Sequence, residues 1–243
     1  MIAPSAMLLD LDGTLVDPAG AITSGIRYAL SQANIPDPGE EKLRTLIGPP
    51  LVLGLAEIDG VQAHQIDGLI AVYRAQYAAT GMADSRPYPG IRELLAALRE
   101  AGIKLYVATA KPTAIARQLL EIQDLVDAVD GIFGNNDEAN GHSASKAHIV
   151  AAVLQTHGLE ASECIMVGDR RYDIEAANDH YMASIGARWG FAPPGELEAA
   201  GAGAHAQDPA ELAGMLLGPA AEEAIRTLLS SNQTPTNIEG ARA

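Results

Sequence analysis

Asp10-Leu11-Asp12-Gly13-Thr14 follows directly on the apolar run Ala6-Met7-Leu8-Leu9, and this junction decides how the chain is read. A short apolar run suits a buried strand, and a period of two then sends Asp10 and Asp12 the same way from its carboxyl end. Two carboxylates in one small volume repel, so one must carry a raised pKa or a divalent cation must lie between them. Gly13 allows a sharp turn, and Thr14 adds a hydroxyl able to orient a carboxylate or bond nearby backbone. The stretch reads as a metal-assisted catalytic loop. Its plain alternative is a solvated strand-to-turn cap, for which Asp and Gly are ordinary residues.

Outward from this junction the rhythm of the chain changes. Apolar residues such as Ile22, Ile26, Ala29 and Leu30 recur at helical spacing, which predicts helices over 21–33, 40–47 and 61–79, broken by Pro36, Pro38, Pro49 and Pro50. No strand is expected between Pro18 and Asp84. From Pro87 onward helices alternate with short apolar runs: helices over 91–100, 113–121, 145–155 and 172–178, and strands over 103–108, 128–133, 164–167 and 182–186. Helices over 194–200 and 210–217 and a short stretch near His205 complete the pattern. Such alternation predicts an α/β fold, a Rossmann-like parallel sheet with helices on both faces. The early helical block then becomes a small all-helical cap inserted after the first strand. The expected division is a discontinuous core over 1–17 and 85–229, a cap over 18–84, and a polar, disordered tail over 230–243.

Composition bounds the partners. The 243 residues carry a formal charge of −15, so a nucleic acid polymer or an anionic membrane would be repelled. A small anionic substrate remains compatible, because a bound cation and one or two Lys can reverse the field locally. The single Cys164 stands beside Ile165-Met166-Val167 as a small strand hydrophobe and suits a reducing compartment. With no basic leader and no apolar span of membrane length, a cytoplasmic monomer or homodimer is expected. His64, His142, His148, His157, His180 and His205 show no metal-ligand spacing and receive no role.

Open parallel sheets bind ligands beyond the carboxyl ends of their strands, so the residues ending each apolar run matter most. The run Leu105-Tyr106-Val107-Ala108 ends in Thr109, Ala110, Lys111 and Pro112, where a hydroxyl and backbone donors before a helix form an oxyanion cradle. Lys111 reads as a solvated side chain, with lining the mouth of the site as the lesser alternative. Lys146 follows the polar segment His142-Ser143-Ala144-Ser145 at a helix start, where a cation opposes the dipole unless an anion lies nearby. Val167-Gly168-Asp169-Arg170-Arg171-Tyr172-Asp173 closes another run, with Asp169 and Asp173 about one helical turn apart. Three or four oxygen donors with retained waters are how Mg²⁺ is usually held. Arg170 and Arg171 suit surface charges equally well.

Asp10-x-Asp12-x-Thr14, the run closing on Thr109, Lys146 and Gly168-Asp169-x-x-x-Asp173 resemble, in order, the four motifs of the haloacid dehalogenase-like hydrolases. The resemblance is closest to their phosphoglycolate phosphatase-like branch, and Trp189-Gly190-Phe191 resembles that branch as well, in a stretch that suits packing. It implies a Mg²⁺-dependent phosphomonoesterase acting on a small phosphorylated metabolite. Asp10 would be the nucleophile and Asp12 the acid and base. Thr109, Ala110 and Lys146 would hold the phosphate. The metal would be held by Asp10, Asp169 and the backbone carbonyl of Asp12, supported by Asp173 and Thr14 in an outer layer. Gly48-Pro49 resembles the cap loop that faces the site. Relatives commonly place a basic residue shortly after it, whereas Val52-Leu53-Gly54 follows here, which leaves Lys42 and Arg44 as the substitutes for recognising a second anionic group such as the carboxylate of phosphoglycolate. The same residues serve a 5′-nucleotidase, a phosphomutase or a non-catalytic phosphorylation switch. A haloalkanoate dehalogenase would need neither metal nor Asp12.

Overall fold

The computed structural model describes residues 4–18, 20–135 and 145–232. Strand β1 (Ala6–Leu9) is buried on both faces, as a central parallel strand must be. The chain then forms the short strands β2 (Val16–Asp17) and β3 (Arg86–Pro87), which pair antiparallel as a two-stranded ribbon. Between them lie helices α1 (Ala21–Gln32), α2 (Glu40–Arg44), α3 (Leu51–Ala56), α4 (Ile66–Gln76) and α5 (Met82–Asp84).

The remaining strands are β4 (Lys104–Pro112), β5 (Gly131–Asn135), β6 (Cys164–Gly168), β7 (Ala183–Ala187) and β8 (Ala204–Ala206). With β1 they make one six-stranded parallel sheet in the order β5-β4-β1-β6-β7-β8. The chain builds outward from β1 through β4 to β5, then returns to build β6, β7 and β8 on the other side. The order in which strands are added reverses at β1, the place where open α/β sheets leave a crevice for ligands.

Helices α6 (Ile91–Glu100), α7 (Thr113–Ile122), α8 (Ala147–His157), α9 (Arg171–Asp179), α10 (Glu196–Ala199), α11 (Pro209–Leu217) and α12 (Pro219–Asn232) complete the chain. Alternation along β1 assigns them to two layers. Ala6 and Leu8 pack with Ile149, Val150 and Val153 of α8 and with Ala176 and Ala177 of α9. Met7 and Leu9 belong to the opposite layer, with Leu94, Leu95 and Leu98 of α6 and Leu119 and Leu120 of α7. Each Leu, Ile, Val or Met side chain among these contributes about 1.5–3 kcal/mol by leaving water, which fixes the register of β1 against a one-residue slip.

Several boundaries differ from the sequence reading. The second predicted strand does not stop at 108: β4 continues to Pro112 with a register shift against β5 between Thr109 and Pro112, so Thr109, Ala110 and Lys111 stay within the sheet edge. The predicted helix over 61–79 divides into a 3₁₀ turn (Ala63–Gln65), α4 and a π-helical turn (Tyr77–Gly81). The short helix α3 has no counterpart in the sequence reading, because the Pro49-Pro50 pair that starts it reads as a breaker. Helix α12 has none either. It packs on α11 and α6 through buried Ile225, and it carries the first residues of the expected tail, Ser230 to Asn232, in helix. The rest of that tail and His142 lie outside the described residues. Among the described residues no helix is long and apolar enough to cross a membrane.

Candidate active site

Asp10 leaves the end of β1 with its N–H donating to the Val167 carbonyl of β6 at 2.9 Å, which fixes the carboxylate between the two central strands. Lys146, at the residue before α8, is only 2 % exposed and lies 2.6 Å from both Asp10 Oδ1 and Asp173 Oδ1. Burial opposes its charge, but the Asp10 and Asp173 carboxylates outweigh burial and hold the ammonium above its ordinary pKa. This explains a cation at a helix start, where the dipole alone disfavours it.

Asp169 is completely buried at the end of β6. Its Oδ2 accepts from the Phe191 N–H at 2.7 Å, and its Oδ1 accepts from the Thr14 hydroxyl at 3.4 Å. The backbone closes around it: a Cβ at Gly13 would lie 2.2 Å, and one at Gly190 2.4 Å, from Asp169 Oδ2, so neither position tolerates a side chain. Asp173, in the first turn of α9, accepts from the Arg170 N–H at 3.1 Å. Asp10, Asp169 and Asp173 offer carboxylate oxygens within 4.8 Å of one another. Burial, with the other carboxylates, raises the Asp169 carboxyl well above the usual range, and burial pushes Asp173 up to about 6. Three buried carboxylates face one ammonium, and this surplus of negative charge in an oxygen-only donor set suits a hard divalent cation. Asp173, expected in an outer layer, stands in that triad.

The Asp12 side chain is not part of the triad. It turns to Lys111, whose Nζ lies 2.8 Å from Asp12 Oδ2 and donates to the Tyr77 hydroxyl at 2.9 Å. Asp10, Asp12, Thr109, Ala110 and Lys111 line one cavity of about 110 Å³, roofed by Gly48, Pro49 and other residues of the helical block. Thr109 Oγ1 accepts from the Lys111 N–H at 3.2 Å, which leaves its proton to be donated to a ligand.

Arg170 joins the acidic loop to that roof. Nearly buried, it pairs with Glu196 of α10 at 2.8 Å and donates to the carbonyls of Thr45, at 3.3 Å, and Ile47. Gly48, at φ 99°, is needed beside it, since a Cβ there would lie 2.5 Å from Arg170 Cγ.

Residues 7–187 match the sequence family described as haloacid dehalogenase-like hydrolase. The chain belongs to that family. It is 35% identical over 193 residues to a 5′-nucleotidase of Pseudomonas aeruginosa, covering 79% of this chain and 86% of that protein. It is 34% identical over 199 residues to a phosphoglycolate phosphatase of Agrobacterium fabrum, covering 79% and 84%. The solved structure of Protein Tyrosine Kinase A (PtkA) of Mycobacterium tuberculosis superposes with a TM-score of 0.76 at 32% identity, covering 89% of this chain and 100% of that one.

Of the residues singled out from the sequence, Asp10, Asp12, Gly48, Pro49, Thr109 and Ala110 line the cavity, whereas Lys146, Asp169 and Asp173 cluster around Asp10 and Thr14 bonds Asp169. Some participants were not expected. Lys111, read as solvated, is buried against Asp12. Tyr77 reaches the same group from the helical block, and its spacing of four from Tyr73 placed both on one helix face. Arg170 is a strut rather than a surface charge. The Trp189-Gly190-Phe191 stretch packs as expected and also bonds the site: Trp189 Nε1 donates to the Thr14 carbonyl at 2.9 Å, and the Phe191 N–H serves Asp169. His148, given no role, bonds Asn135 Oδ1 at 2.8 Å on the cavity wall.

Proposed function

We propose that this hydrolase is a Mg²⁺-dependent phosphomonoesterase acting on a small phosphorylated metabolite through an aspartyl-phosphate on Asp10. The observation that carries the reading is that Asp10, Asp12 and Thr109 line one cavity while Lys146 braces Asp10 at 2.6 Å. An Asp10 carboxylate oxygen attacks phosphorus and the bond to the leaving oxygen breaks. Asp12, in its protonated form, gives that oxygen its proton. Water then attacks the phosphorus of the aspartyl-phosphate, Asp12 takes the proton from it, and the acyl phosphate bond breaks to restore Asp10. Thr109 and the backbone beside Ala110 hold phosphoryl oxygens, and Lys146 offsets charge on Asp10.

Asp10, Asp169 and Asp173 would hold Mg²⁺, together with the backbone carbonyl of Asp12. Bound there, the ion supplies charge neutralisation between a carboxylate nucleophile and a phosphate dianion. We read residues 18–84 as a cap on the core formed by 1–17 and 85–229, with Gly48 and Pro49 excluding bulk water from the chemistry.

The test is phosphate release from a panel of phosphomonoesters by the full chain, with Mg²⁺, with EDTA, and with Asp10→Asn. Release that needs Mg²⁺ and vanishes in Asp10→Asn is expected. Undiminished release by Asp10→Asn, or phosphorylation of tyrosine from ATP in place of ester hydrolysis, would overturn the proposal.

A further inference from the structure

The cavity above Asp10 has two unlike walls. On the sheet side stand Asp10, Asp12, Thr109 and Lys111, whereas the helical side is built from Ile22, Leu46, Pro49, Leu51, Ile70 and Tyr73. Charge is just as uneven. Among the described residues lining the helical side, Arg74 is the one charged side chain, and it is already engaged by another group. On the sheet side Lys111 is held by Asp12, and the Asn135 amide is taken by the Ala110 carbonyl at 3.2 Å and by His148. A carboxylate or second phosphate pressed against the apolar wall would give up hydration with no cation committed to it, which is costly.

One feature of the wall is suited to a particular shape. The Tyr73 ring is held by two neighbours: it stacks on Tyr77 with centroids 5.8 Å apart and planes 24° from parallel, and its Cδ2–Cε2 side lies against Gly25 of α1, where a Cβ would come within 3.1 Å of it. Tyr77 is in turn anchored by its bond to Lys111. Tyr73 is half-buried and lines the cavity, and an immobilised ring that meets a ligand ring edge to face gains the contact with little further loss of freedom.

We propose, resting on the phosphomonoesterase reading above, that the substrate is the phosphomonoester of an uncharged alcohol bearing an aromatic ring, seated on the apolar wall at Tyr73, and not a phosphorylated acid or a bisphosphate. The phosphate lies over Asp10 and the ring takes the helical side.

The experiment compares kcat/KM of the full chain with Mg²⁺ for benzyl phosphate, uridine monophosphate, butyl phosphate, phosphoglycolate and fructose bisphosphate. The ring-bearing esters are expected to lead by about tenfold or more. Tyr73→Ala should lower the benzyl-to-butyl ratio about tenfold while Tyr73→Phe keeps it, since the ring and not the hydroxyl is invoked. Leu51→Arg, at a half-buried position of the wall, should raise the phosphoglycolate-to-benzyl ratio, and it tests the same wall should Tyr73→Ala fail to fold. Preference of the unmodified chain for phosphoglycolate or the bisphosphate, or a benzyl-to-butyl ratio unmoved in folded Tyr73→Ala, sinks the substrate assignment while leaving the phosphatase reading in place. Absence of hydrolysis of every ester sinks both.

Discussion

Lys111 and Asp12 form a nearly dry ion pair, with Nζ 2.8 Å from Oδ2 and 3.1 Å from Oδ1 and side chains only 8 % and 12 % exposed. Burial opposes the Lys111 charge, but Asp12 outweighs it and holds the ammonium above its ordinary pKa. The pair sets where the Asp12 carboxylate points, and Tyr77 secures it from the helical block. Lys111→Met is therefore expected to lower kcat/KM about a hundredfold by letting Asp12 drift, whereas Tyr77→Phe, which loses one hydrogen bond, should cost about fivefold. Steady-state kinetics on the two variants decides this, and equal small losses would mean the pair does not position Asp12.

Arg170 ties Glu196 of α10 to the carbonyls of Thr45 and Ile47 in the loop over the cavity. Arg170→Ala strands a largely buried carboxylate and two carbonyls, so a loss of about 3 kcal/mol in urea denaturation is expected, with a raised KM from the loosened loop. Arg170→Lys should recover only part, because a point charge cannot serve a forked set of acceptors. Full recovery by Lys would show that charge alone matters.

How much of this was legible in the sequence follows from the range of each interaction. The parallel sheet and its helices on both faces rest on apolar runs such as Ala6–Leu9; Asp10, Thr109 and Asp169 stand at or just beyond the ends of such runs and Lys146 at a helix start, so local patterns located them. Lys111 is 99 residues from Asp12 and Arg170 is 125 from Thr45, and no local pattern reports a partner at that distance. A Lys after an apolar run looks solvated until the helical block is placed over it. Helix α12 escaped because Gly218-Pro219 marks a stop as readily as a helix start.

The acidic triad makes the metal-free protein sensitive to pH. Burial raises the Asp173 carboxyl from an ordinary 3.8 to about 6, so between those values the folded chain binds more protons than the unfolded one. Stability must then fall as pH rises through that window, by on the order of 3 kcal/mol for Asp173, and Asp169 is shifted in the same direction. Thermal melts in EDTA should show this fall, and Asp173→Asn should flatten it. Mg²⁺ at a hundred times its Kd should restore about 2.7 kcal/mol at pH 7. A metal-free protein that grows more stable from pH 4 to 6 would contradict the electrostatics of the triad.

Gly190 packs directly against the loops that carry the acidic residues. An added Cβ would come within 2.3 Å of Asp169 Cβ and 2.5 Å of the Gly13 carbonyl, so it must push one of the two loops that hold the acidic residues. Gly190→Ala is expected to weaken Mg²⁺ binding about tenfold or more in titration calorimetry, because displaced ligands lose their shared geometry. Gly68, within α4, meets nothing within 4 Å at the same position, so Gly68→Ala should leave Mg²⁺ affinity alone and add about 0.5–1 kcal/mol of stability through helix propensity. If the Gly190 variant binds Mg²⁺ as well as the parent protein, the ion is not held by Asp169.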